Sequence, residues 1–188
     1  MIFLEEKMNK YINVIGAGLA GCEAAYQIAK KGIKVKLYEM KPKNFSPAHS
    51  NKDLAEIVCS NSFKSNLITN ACGLLKEELR RLDSLLIKCA DETSVPAGQA
   101  LAVDREEFSK FVTKKIESNE NIELIREEFT GEEELNGITI IATGPLTSDK
   151  MADYISKITG RNRLFFYDAA APIIEKDSID MRNCIFRR

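Results

Sequence analysis

Apolar and polar positions change period several times along the chain. Residues 11–16, YINVIG, form a short apolar run ending at a glycine, the pattern of a buried strand. Residues 18–31, GLAGCEAAYQIAKK, are rich in Ala and long side chains and predict a helix, stopped by Gly32 after two lysines. Residues 34–40, KVKLYEM, place Val35 and Leu37 on one face and predict a second strand. A strand, a helix and a strand within roughly 30 residues predict a parallel pair.

The texture then changes. Residues 41–72 hold Pro42, Pro47, five asparagines and five serines, which predicts a long ordered loop or irregular insertion over the strand ends. The insertion is expected to span about 41–100. Within it, residues 73–90 predict one amphipathic helix with Leu75, Leu79, Leu82 and Leu86 on a single face and Glu77 pairing with Arg81 across a turn. Asp104 and Glu107 predict a capping box, followed by a buried stripe of Phe108, Phe111, Val112 and Ile116. NIELI at 121–125 predicts a strand, 131–135 a polar turn, and GITIIATG at 137–144 a buried strand. Ser148 opens a last helix with Met151, Ile155 and Ile158 inward and Gly160 closing it. RLFFYDAAAPII, 163–174, predicts one or two further strands. This alternation argues an α/β fold with a mainly parallel sheet.

Composition narrows the function classes. The 27 basic and 28 acidic side chains give a net charge of -1, which disfavours a general nucleic-acid coat but leaves local clusters such as Lys30-Lys31, Lys114-Lys115 and Arg161/Arg163. No apolar run reaches the ~18 residues of a membrane span. Five cysteines without a CxxC pair and a single histidine, His49, argue against a zinc site, and the expectation is no metal. The odd cysteine count and an acidic N-terminus, MIFLEEK, fit free thiols in a reducing cytoplasm.

The strongest motif is Gly16-Ala17-Gly18-Leu19-Ala20-Gly21. It follows a predicted strand and opens a predicted helix, and Glu39 ends the next strand 18 residues after Gly21. Gly16 permits the tight turn, Gly18 lets backbone approach a pyrophosphate, and Gly21 lets helix and strand pack closely. The helix N-terminus offers N–H groups to the phosphates, and Glu39 accepts from the ribose hydroxyls of an adenosine without a 2′-phosphate. A second signal is TIIATG, where Thr143 and Gly144 end an apolar strand as in the second fingerprint of two-dinucleotide flavoproteins. Together the two favour FAD over NAD.

Cys59, in AEIVCSNS, leaves an apolar pair for small polar residues near the strand ends. It is the best nucleophile candidate, with Lys64 and His49 able to supply an electropositive setting, although a free cysteine also serves as packing filler. Cys22, Cys72 and Cys89 read as structural, and His49 as a surface or hydrogen-bonding residue.

The segments VIGAGLAGCEAAYQIAKKGIKVKLYEMKP, AEIVCSNSFKSN, TNACGLLKEELRRLDSL, SVPAGQALAVDREEFS, IIATGPLTSD and FFYDAAAPIIEKDSIDM closely resemble the TrmFO family of FAD- and folate-dependent tRNA uracil-5-methyltransferases, from about Met8 to Met181. GidA-type tRNA-modifying flavoproteins share the glycine loop but differ at VCSNS and YDAAAPI. The resemblance implies a Rossmann-like FAD-binding fold and transfer of a methylene group from methylenetetrahydrofolate to C5 of the tRNA T-loop uridine at tRNA position 54. NAD(P)H then reduces the flavin. It also implies that Cys59 is catalytic, that Gly16 to Gly21 hold the FAD phosphates and that Glu39 binds the ribose. Residues 1–7 lie outside the resemblance, and 182–188, RNCIFRR, read as the tail of a truncated or frameshifted gene whose C-terminal half is a separate chain or lost. The alternatives are a flavin NAD(P)H oxidoreductase acting on a small molecule and a non-catalytic dinucleotide-binding module.

Overall fold

A computed structural model describes residues 11–131 and 135–160. The expected strands over 163–174, most of the polar turn over 131–135, and Cys184 lie outside the described residues. Four strands form a parallel sheet: β1 (Tyr11–Ile15), β2 (Lys34–Tyr38), β6 (Ile122–Ile125) and β7 (Thr139–Ile141), in the order β6-β2-β1-β7. β1 pairs with β2 from Tyr11↔Lys34 to Ile15↔Tyr38 and with β7 from Asn13↔Thr139 to Ile15↔Ile141. The first-formed strand therefore lies between the second and the last, the strand reversal of a Rossmann-like α/β fold. Helix α1 (Leu19–Ala29) links β1 to β2, as the parallel pairing requires.

Burial explains the assignment. Val14, Val35, Leu37, Cys22, Ala25, Phe108, Val112 and Ile116 are all 0% exposed and join one core under α1, α3 (Leu85–Glu92) and α4 (Arg105–Glu117). A second, smaller core holds Ile15, Phe129 and Met151, with Tyr38 and Tyr154 stacked edge-on to Phe129. That small core brings α5 (Asp149–Thr159) to the strand ends.

Between β2 and α4 the chain first runs through 41–61 without helix or strand. It then builds a three-stranded antiparallel sheet, β3-β5-β4, from Ser62–Ser65, Ala100–Val103 and Ser94–Val95. The helix expected over 73–90 is instead two, α2 (Ala71–Arg81) and α3, broken at Asp83 with φ +63. Asp83 is pinned by ion pairs with Lys30 and Lys88, and Gln27 Nε2 donates to its carbonyl at 3.1 Å. Glu23 of α1 accepts from Leu85 N and Leu86 N and so opens α3 from across the core. The leucine face consequently divides: Leu75 and Leu82 are 55% and 69% exposed, while Leu86 packs on the core. The Glu77–Arg81 pair forms at 3.1 Å.

Three smaller expectations also change. Asp104 caps α4 through Glu106 N and Glu107 N, but its own N–H donates to Thr93 O and the Glu107 carboxylate pairs with Lys110, so the capping box is only half made. β7 is short and half-exposed rather than buried, because it stands at the edge of the described sheet. Ile158 is 56% exposed, since α5 turns only Met151 fully inward.

Candidate dinucleotide cleft

The carboxyl ends of β1, β2 and β7 open onto one cleft of about 320 Å³. Gly16 through Ala20, Glu39, Thr143 and Gly144, named from sequence, all line it. It lies where the strand order reverses between β1 and β7, the ligand position of open α/β sheets.

The three glycines do three different things. Gly16 has φ +95, and a Cβ there would lie 2.7 Å from the Ala142 carbonyl oxygen. A Cβ on Gly21 would lie 1.8 Å from the Gly16 carbonyl oxygen, so helix and loop touch through backbone. Gly18 faces open space, with nothing within 4 Å. It is also the N-cap of α1, makes no side-chain cap, and the first turn carries no acid. The N–H groups at the head of α1 and the positive end of its dipole therefore face the cleft with no side chain of α1 capping them.

Glu39 is 7% exposed at the end of β2. Its Oε2 accepts from Ala17 N and its Oε1 from Lys41 N, each at 3.0 Å. A carboxylate accepts about four hydrogen bonds, so each oxygen retains capacity toward the cleft. The nearest cation, Lys41, turns away: its Nζ donates to Asp53 O at 2.6 Å and pairs with Glu56 Oε2 at 3.2 Å. Burial raises the Glu56 carboxyl, but the N–H groups of Ser50 and Asn51 and the Lys41 ammonium outweigh it and hold it below the usual 4.5. Thr143 Oγ1 and Thr147 Oγ1 bond to each other at 2.5 Å, and Gly144 has φ +72.

Cys59 is exposed in the irregular segment and has no hydrogen bond or ion pair among the described residues. Val58 and Glu56 line the cleft while Cys59 follows just outside the lining. Neither Lys64 nor His49, the residues expected to supply an electropositive setting, bonds to the thiol; His49 Nδ1 is engaged with Ser46 Oγ at 2.5 Å. His49 nevertheless lines the cleft, half-buried, and burial followed by the Lys41 ammonium pushes its imidazole below 6.5. Cys22 is buried, donates to Ala17 O at 3.2 Å and is held protonated by burial, with Glu39 adding to the effect. Burial also pushes the Cys89 thiol up to about 11. Both match their structural reading. Sequence reasoning missed the Lys41–Glu56 pair and the cleft position of Phe129, whose only signal was its place just after β6, and it gave Met151 as an inward helix position without placing it at the cleft. No cluster of metal-ligating side chains exists among the described residues, and no helix there is long and apolar enough to cross a membrane.

The family model for glucose inhibited division protein A matches residues 11–188, including the glycine loop, Glu39 and Cys59. The chain belongs to the glucose inhibited division protein A family. Within the family, the chain is similar to the methylenetetrahydrofolate–tRNA-(uracil-5-)-methyltransferase TrmFO of Acetivibrio thermocellus, 62% identical over 93% of this chain and 40% of that protein. It is 61% identical to the TrmFO of Fusobacterium nucleatum over 96% of this chain and 41% of that one. The chain thus spans about two-fifths of the length of the curated relatives it matches. Among solved structures, CtdE in complex with FAD and substrate 4 matches 62% of this chain and 30% of its own at 17% identity and a TM-score of 0.37, too distant to bear on the ligand.

Proposed function

We propose that this chain is the FAD-binding N-terminal part of a folate-dependent methyltransferase that acts on C5 of the T-loop uridine of tRNA. The observation that carries the reading is the 62% identity to a TrmFO across a span containing both the glycine loop and the Cys59 segment. Residues 8–181 form this part, with the insertion at about 41–100.

The cleft residues fit the adenosine diphosphate end of FAD. Gly18 leaves room where a side chain would stand, and the bare N-terminus of α1 meets the phosphates. Glu39 meets the ribose hydroxyls, and among the described residues the lysine that lines the cleft, Lys41, is held by Glu56 and not offered to a 2′-phosphate. Thr143 and Gly144 border the opposite wall. When bound and reduced by NAD(P)H, FAD supplies the reducing equivalents of the methylation.

Cys59 supplies the nucleophile. C5 of uracil is a weak nucleophile until a thiolate adds at C6, forming the S–C6 bond and leaving an enolate whose C5 attacks the one-carbon unit. An exposed segment just beyond the cleft suits a thiol that must meet a base on a macromolecule. Lys30-Lys31 and Lys114-Lys115 supply phosphate contacts, and the protein works in the cytoplasm.

The test pairs two variants. Gly18→Val should abolish FAD uptake by the chain, followed by flavin absorbance and fluorescence; unchanged uptake overturns the phosphate-loop assignment. With the missing part of the enzyme supplied, Cys59→Ser should abolish methyl incorporation into tRNA while flavin reduction by NAD(P)H persists. Retained methylation removes Cys59 from the mechanism.

A further inference from the structure

The segment that delivers Cys59 has no ladder or helix to hold it: residues 41–61 contain neither strand nor helix. Its path is nevertheless defined: Arg126 Nη1 donates to Lys52 O at 2.9 Å, Asn61 exchanges bonds with Val103 beyond Cys59, and three further fixings lie just before the thiol. Leu54 is 0% exposed and its N–H donates to Thr113 Oγ1 at 2.8 Å. Ala55, with φ +51, donates its N–H to Ala17 O of the glycine loop at 2.9 Å. Glu56 meets Lys41, the side chains being only 11% and 5% exposed.

The third fixing differs in kind from the others. The Glu56 Oε1 atom gathers Ser50 N at 3.0 Å and Asn51 N at 3.1 Å, while Oε2 meets Lys41 Nζ. Lys41 Nζ also holds Asp53 O at 2.6 Å. One ion pair therefore binds the backbone at 50, 51 and 53 to the residue that follows Glu39 and Met40 at the end of β2. Lys41 N in turn donates to Glu39 Oε1, and Glu39 Oε2 accepts from Ala17 N. An unbroken chain of bonds runs from the glycine loop through Glu39 and Lys41 to Glu56, three residues before Cys59. A largely buried ion pair is an expensive way to gain stability, because desolvation cancels much of the attraction, and in some proteins such pairs fix geometry instead.

We propose that the Lys41–Glu56 pair is a positioning device for Cys59, coupling occupancy of the dinucleotide cleft to the accessibility of the thiol. This rests on the reading of the cleft and of Cys59 given above. Lys41 and Glu56 touch neither reacting atom; they act through the backbone they hold.

The experiment measures alkylation of each cysteine of the 188-residue chain by iodoacetamide, resolved by peptide mass, with and without FAD. Cys72 serves as the internal reference, and protection of buried Cys22 and Cys89 reports that the protein is folded. In the unaltered protein, FAD should change the Cys59 rate by about threefold or more with Cys72 unchanged. Glu56→Gln should raise the Cys59 rate by about threefold or more without FAD, as local opening frees the segment, and should erase the response to FAD. Lys41→Arg keeps the charge and should keep both. If Glu56→Gln exposes Cys22 and Cys89, the double variant Lys41→Met/Glu56→Gln, which buries no lone charge, decides. A raised Cys59 rate in the double variant supports the device. A rate equal to that of the unaltered protein, in the folded single or the double variant, overturns it. Failure of the unaltered chain to bind FAD overturns the cofactor reading instead, and the rates without FAD still test the pair.

Discussion

The head of α1 and the heads of the other four helices are built on opposite plans. Asn70 accepts from Cys72 N, Ser84 from Ile87 N, Asp104 from Glu106 N and Glu107 N, and Ser148 from Met151 N, so α2 to α5 each satisfy an orphan N–H with their own side chain. α1 begins at Gly18 with no such bond. A side-chain cap is worth about 1 kcal/mol, and four of the five described helices take it. The one that forgoes it, α1, begins in the glycine loop of the cleft, while α5, whose head also lines the cleft, keeps its Ser148 cap. The difference teaches that the donor groups of α1 are reserved, and that the glycines around them divide into two that pack and one that leaves space.

The largest effect should come from the packing glycines. Gly21→Ala sets a methyl 1.8 Å from the Gly16 carbonyl oxygen, where only backbone movement relieves it. A loss of about 3 kcal/mol is expected in urea unfolding. A loss below about 1 kcal/mol would mean that loop and helix separate easily, and the packing half of the comparison would fall.

Gly18→Asp sharpens the other half. Its φ of -71 suits any residue, so the new carboxylate should cap α1 and leave the melting temperature equal or slightly raised. The same carboxylate occupies the phosphate position and repels its charge. FAD binding, read by flavin fluorescence, should weaken at least about tenfold, some 1.4 kcal/mol. A variant that is both stable and unimpaired in binding would show that the bare helix end is not the phosphate site.

Ser148→Ala removes the cap of α5 and should cost about 1 kcal/mol in thermal or urea unfolding. Gly18→Ala, which has no cap to lose, should cost clearly less. Equal costs would erase the contrast between the two cleft-facing helices.

The smallest effect is a pH slope. His49 is held neutral in the folded protein below its ordinary 6.5, so the unfolded chain binds a proton there that the folded chain does not. Stability should therefore be full above pH 6.5 and decline as the pH falls below it. Glu56, held below 4.5, adds a second decline as the pH falls through that lower range. Melting curves from pH 7.5 to 5 on the unaltered protein and His49→Gln isolate the first part, and an unchanged slope in the variant would assign it elsewhere.

The dinucleotide half of the molecule was legible because its signals are local. A strand, a glycine turn, a helix and a second strand follow one another without interruption, and Gly16, Gly21 and Glu39 meet through neighbours in that short run. The leucine-rich stretch was not legible in the same way. Its helical period continues through Asp83, and the only local marks of a break are Ser84, the N-cap of α3, and Lys88, which pairs with Asp83. Gln27 and Glu23 of α1 and its C-cap Lys30 fix the break, and they lie more than 50 residues away. The same limit hid the surroundings of Cys59. Its own segment offered Lys64 and His49, but the bonds that hold it come from Lys41, Thr113 and Ala17.

By itself, then, the sequence determined the order of strands and helices at the N-terminal half of the parallel sheet and the glycine turn between β1 and α1. Backbone conformation and hydrophobic period act over one or two turns, and those features need nothing more. Only the tertiary structure decided where the leucine helix breaks and that a largely buried ammonium and carboxylate fasten the Cys59 segment to the cleft. Those outcomes depend on hydrogen bonds and charges between elements far apart in the chain. In a dry interior an unpaired charge costs so much that its partner is chosen by proximity in space and not by spacing in sequence.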